Sequence, residues 1–134
     1  MKNLAIGVFL LAISMPVLAK DDRGGDAYVT ALKRLVDMDE GHPPKADIEK
    51  DLDSTHAIGY LVGMWDGVMF SRVIMKEGGA SCMPGNIPSI TLARIVVDYA
   101  HSHPGERSES QAAITMSAFV NAFPCVGPTA DRMK

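Results

Sequence analysis

The sequence predicts an all-α protein: a small, compact bundle of about four to five helices held by one disulfide. Three observations predict it. Apolar residues recur at helical spacing in several segments, as in Leu92, Ile95, Val96 and Tyr99 at i, i+3, i+4 and i+7. Glycine and proline clusters at Gly41–Pro44, Gly78–Gly79 and His103–Gly105 cut the chain into helix-sized pieces. No stretch alternates apolar and polar residues for long enough to form a strand, and no repeat is visible.

The first segment is an export signal. Lys2 precedes an apolar run from Leu4 to Met15, Pro16 ends it, and Val17 and Ala19 form a small-residue cleavage pattern. Residue 20 is lysine, so nothing supports a lipid anchor at the cut. This divides the chain into a cleaved signal, 1–19, and a single domain, 20–134, large enough for a modest core. The full sequence carries 13 basic and 16 acidic residues, a formal charge of −3, and about −4 once Lys2 is removed. A mildly acidic exported domain has no electrostatic attraction for nucleic acid or anionic lipid.

Residues 20–26 read as a charged lead-in, after which Asp26 is placed to cap a first helix with Val29, Leu32, Leu35 and Val36 on one face. The acidic segment 45–54 is either the exposed start of the next helix or a short helix of its own; its carboxylates suit a positive N-terminal dipole in both cases. The stretch Ser54–Lys76 is expected to be the central helix, on which the others pack. Ile58, Leu61, Val62, Trp65, Val68 and Met69 form a broad apolar face, and Gly59, Gly63 and Gly67 line up every fourth residue on another. Each glycine costs a helix interior about 1 kcal/mol relative to alanine. The stripe therefore implies either a neighbouring helix at backbone distance or a homodimer seam. Asp66 interrupts the apolar run well short of the ~20 residues a bilayer requires, so a membrane span is not expected.

Beyond Gly78–Gly79, the residues ASCMPGNIPSI form a loop whose corners are fixed by Pro84 and Pro88. Ser89 or Thr91 is expected to cap the third helix. Ser108-Glu109-Ser110-Gln111 matches a capping box for a fourth, with Ala112, Met116, Phe119, Val120 and Phe123 on one face and Pro124 at its end. Cys82 and Cys125 are delivered together to an oxidising compartment, so a bridge is expected, worth about 4 kcal/mol on the chain-entropy model. The other reading, a catalytic thiol, lacks a histidine at any recognisable spacing.

Little points to chemistry. His101 and His103 have no third ligand nearby and suit a helix end, so no metal site is expected. His56 is expected to be packed or hydrogen-bonded, and Asp66, if buried, needs a donor. No phosphate loop, nucleophile elbow or other catalytic signature occurs; no catalytic residue and no cofactor are expected.

Three motifs in order carry a resemblance: Gly59, Tyr60, Gly63 and Asp66 in a Gly-Tyr-x-x-Gly-x-x-Asp helix; Cys82 and Pro84 in a Cys-x-Pro loop; and Phe123, Pro124 and Cys125 at the end. Across residues 54–125 the chain resembles the Rap/Tai family, periplasmic immunity proteins that protect bacteria from cell-wall amidase effectors of the type VI secretion system. Two departures stand out: Ala57 occupies a position where many members carry a further cysteine, so a second bridge is absent, and Gly105 interrupts the usual charged cluster. The resemblance implies a non-enzymatic inhibitor, acting as a homodimer, that covers the amidase's active cleft. Gly59, Gly63, Asp66 and Gly67 are then a helix-packing or dimer seam, and the rigid loop from Lys76 to Ser89 faces the effector, with Lys76, Glu77, Pro84 and Asn86 as candidate contacts. Two other classes compete. One is an acid-stress chaperone with one disulfide, for which the nine methionines offer slight support. The other is an enzyme using Asp66 and a histidine.

Overall fold

The computed structural model describes residues 24–75 and 83–124, with the backbone alone at 72–75. Four helices follow in order: α1 Gly25–Asp39, α2 Ile48–Met75, α3 Ser89–Ser102 and α4 Gln111–Ala122, with a single 3-10 turn at Pro104–Glu106. No strand occurs among the described residues; the one bridge pairs Gly24 with Ser110. The all-α expectation therefore holds. The signal segment and both cysteines, with the bridge expected between them, lie outside the described residues.

α1 starts where the chain docks on the turn before α4. The Gly25 amide donates to the Glu109 carbonyl at 2.8 Å. A Cβ on Gly25 would sit 2.6 Å from that oxygen and 2.8 Å from the Arg107 carbonyl, so only glycine fits this approach. Asp26 is not the cap: it lies in the first turn, where Arg107 sits 2.7 Å away in an electrostatic contact without an aligned hydrogen bond. At the other end, His42 N donates to Asp37 O and Gly41 N to Met38 O, with Gly41 at φ +79°, the pattern of a Schellman stop. Pro43 and Pro44 then prevent the helix from resuming.

The segment left open in the sequence belongs to α2, which runs unbroken from Ile48 and is about 42 Å long. Asp47 accepts from the Lys50 amide at 3.3 Å and caps it. Arg34 fastens this start to α1, reaching the Asp51 carboxylate at 2.8 Å and the Lys45 carbonyl at 2.9 Å.

The expectation that α2 is the central rod is not met. Its buried residues are Ser54, Ala57, Leu61 and Trp65, with Ile58, Val68 and Met69 half-buried; Val62 and Phe70 face outward. The inner position belongs to α3, which packs against all three other helices and buries Leu92, Ala93, Val96 and Ala100. α1 is its main partner, contributing Tyr28, Val29, Leu32 and Val36. Short side chains at Ala93 and Ala100, seven residues apart on one face, let a neighbour close in.

Two caps also differ from expectation. Pro88 occupies the N-cap of α3, and its carbonyl accepts from Thr91 and Leu92, so neither Ser89 nor Thr91 caps through its side chain. For α4 the cap is Ser110, whose Oγ accepts from Ala113 N at 3.2 Å, two residues later than the capping box placed it. That shift fits the buried face: Ile114, Thr115, Ala118 and Phe119 are inside, whereas Ala112 and Val120 are exposed. Phe119 meets Trp65 edge-to-face at 5.4 Å, and Thr115 donates to the buried Tyr28 hydroxyl at 3.1 Å. Burial pushes the Tyr28 hydroxyl up to about 12, with the Thr115 hydrogen bond opposing that shift.

Candidate functional site

Two surfaces stand out. The first is the loop entering α3. Met83 is buried in the core and Ile87 packs half-buried against it, while Pro84, Gly85 and Asn86 between them are exposed. Two apolar anchors thus hold a three-residue tip away from the body. Asn86 adopts φ +60°, a left-handed conformation that asparagine tolerates better than most residues. Pro88 then fixes the exit by capping α3. Of the loop contacts expected from the sequence, Pro84 and Asn86 are on this tip; Lys76 and Glu77 lie outside the described residues.

The second surface is the outer face of α2. Gly59, Gly63, Asp66 and Gly67 all lie exposed along it. A Cβ built on any of the three glycines meets no atom within 4 Å, so among the described residues no helix of the chain approaches the stripe. Of the two alternatives the sequence offered, close intrachain packing is absent among the described residues, and the shallow groove beside the stripe is lined by Tyr60, Gly63, Met64, Gly67, Val68 and Ser71. Phe70, 66% exposed, stands on the same face. Asp66, being exposed, has no need of the buried donor that its sequence context suggested.

The histidines do not assemble a site. His103 ends α3 with its ring stacked 4.1 Å from Tyr99 and Nδ1 3.0 Å from the Tyr99 carbonyl, a local arrangement at a helix stop. A hydrogen bond to Glu106 raises the Tyr99 hydroxyl above its ordinary range and ties the 3-10 turn to α3. His101 and His56 are exposed, so of the two expectations for His56, packed or hydrogen-bonded, the first does not hold. Among the described residues no three metal-ligating side chains cluster, and no helix is long and apolar enough to cross a membrane.

The described residues form a small helical bundle with an inward-facing core, one helix left half uncovered and a three-residue tip exposed. A model of the Rap1a immunity proteins matches residues 27–125, most of the chain, from the first turn of α1 through α4 and including the tip. The protein belongs to the Rap1a immunity protein family. It is accordingly an immunity protein, and its partner is an effector. No curated protein and no solved structure matches the chain.

Proposed function

We propose that the protein is a periplasmic antidote that binds a peptidoglycan amidase delivered by type VI secretion and occludes its active cleft, without chemistry of its own. The observation that carries this reading is the Pro84-Gly85-Asn86 tip, raised between the Met83 and Ile87 anchors on a chain of the immunity family. A tip ordered in advance enters a cleft with little loss of conformational entropy, which is what a tight stoichiometric inhibitor requires. Lys76 and Glu77 flank it in sequence and complete the proposed contact.

Two copies pair through the outer face of α2. Gly59, Gly63 and Gly67 leave a furrow, Phe70 supplies a projecting ring on the same face, and Asp66 lies beside both; a surface carrying both knob and hole can close on itself about a two-fold axis.

The test is co-expression with a periplasm-directed type VI amidase from the same genome. Cells producing the protein survive and cells lacking it lyse; equal lysis in the two would refute the antidote role. Inserting two residues after Asn86, with folding checked by circular dichroism, should abolish protection by displacing the tip.

A further inference from the structure

A furrow runs along the outside of the α1/α2 pair, made of two adjoining cavities of about 380 and 610 Å3. Both are lined by Ala27, Ala31 and Asp53, so the floor is continuous, and its short side chains let a visiting chain lie close to the helices. At one end Tyr60 packs edge-to-face on Tyr28 at 5.6 Å, giving an aromatic wall.

The charges along the furrow are nearly all spoken for. Lys33 pairs with Asp37, Arg34 with Asp51, Lys50 with Asp47 and Asp26 with Arg107. Asp53 is the exception: it lies where the two cavities meet and makes no ion pair or side-chain hydrogen bond among the described residues. An exposed, unpaired carboxylate where the two cavities meet, with a tyrosine two turns along the helix, offers a cation a counter-charge and an aromatic surface.

We propose that this furrow receives a lysine or arginine side chain carried on an extended segment of the effector, with Asp53 as its counter-ion and Tyr60 as the wall against which its stem or head packs. The proposal rests on the effector-binding role above and adds a second contact, on a different face from the Pro84–Asn86 tip. The effector is the occupant chosen because the chain belongs to a family of immunity proteins, whose partner is an effector.

Asp53 is exposed on a helix surface, so its variants should fold, which circular dichroism checks. Titration calorimetry of the full chain against a type VI amidase should show Asp53→Asn binding about tenfold more weakly and Asp53→Lys about a hundredfold more weakly, with a shallower salt dependence than wild type. Wild-type affinity in both variants would overturn the furrow contact while leaving the antidote role standing. If wild type itself does not bind the amidase, the antidote role fails, and the furrow is judged by a probe that does not depend on it. Acetyl-Ala-Arg-Ala-amide titrated at millimolar concentration should then shift the amide resonances of Ala27, Ala31 and Ala57 in wild type. It should not shift them in Asp53→Asn, nor should a citrulline analogue in wild type; unmoved wild-type resonances refute the site. Asp53→Lys altering the oligomeric state in sedimentation would assign the furrow to the contact between copies and likewise overturn the proposal.

Discussion

The α1/α3 interface and the outer face of α2 both rely on small residues, and they put them to opposite uses. In α3, Ala93 and Ala100 are completely buried, and their short side chains let a neighbouring helix close in. In α2, Gly59, Gly63 and Gly67 recur with equal regularity, yet nothing in the described chain comes near them. Small residues at helical spacing permit close approach without stating who approaches. The first set is used within the chain, and the second is met by nothing among the described residues.

The largest test of that contrast compares Phe119→Ala with Phe70→Ala. Phe119 is fully buried against Trp65, so its truncation should destabilise the monomer by about 3–5 kcal/mol in urea denaturation, whereas Phe70→Ala should stay within about 0.5 kcal/mol. A large effect at Phe70 on a monomeric sample would show that the α2 face is covered after all.

The closed side should also have its own pH limit. The folded Tyr28 hydroxyl is raised from 10.0 to about 12, so the native state holds its proton over a range in which the unfolded chain releases it. The resulting stability is fully present below about pH 10 and is lost as pH climbs to 12, by about 2–3 kcal/mol. Thermal melts across this range should fall more steeply for wild type than for Tyr28→Phe. Parallel slopes would remove Tyr28 from the explanation.

Glycines on the two sides should respond in opposite directions. Gly25→Ala forces a methyl against two backbone carbonyl oxygens and should destabilise by about 1–3 kcal/mol. Gly63→Ala meets open space in a helix interior and should stabilise the monomer by about 1 kcal/mol, while weakening self-association in sedimentation if copies meet there. Destabilisation of the monomer by Gly63→Ala would restore the intrachain seam. The smallest effect concerns α4, where Ser110→Ala should cost about 1 kcal/mol and Ser108→Ala close to nothing.

Much of the fold was legible along the chain because helix stops are local chemistry. Gly41 at positive φ followed by His42, Pro43 and Pro44 ends α1 through bonds made within six residues, and α3 ends as locally, with His103 N donating to the Tyr99 carbonyl just before Pro104. Caps were harder to read. Asp26 and Ser108 are both chemically able to cap, but α1 and α4 start where Gly24–Gly25 docks on Glu109 and Ser110, a contact spanning most of the chain, while the N-cap of α3 is Pro88, three residues before Thr91. Of the candidate site, Pro84 and Asn86 were readable as a cornered loop, but the anchoring by Met83 was not, since a methionine in a loop carries no local sign of its burial. The furrow at Asp53 escaped notice because its walls come from α1 and α2 together, and a carboxylate on an acidic helix start looks like any solvated one.

By itself the sequence indicated an all-helical chain of four to five helices, their order and the stops of α1 and α3, because turn residues and apolar periodicity act over a few residues. Only the tertiary structure decided which helix is innermost. α2 is apolar nearly all round, and that made it the apparent centre; yet burial depends on faces contributed by distant segments, and α1, α3 and α4 satisfy one another while leaving half of α2 uncovered. Hydropathy measures what a segment can bury, and only the arrangement of its neighbours fixes what it does bury.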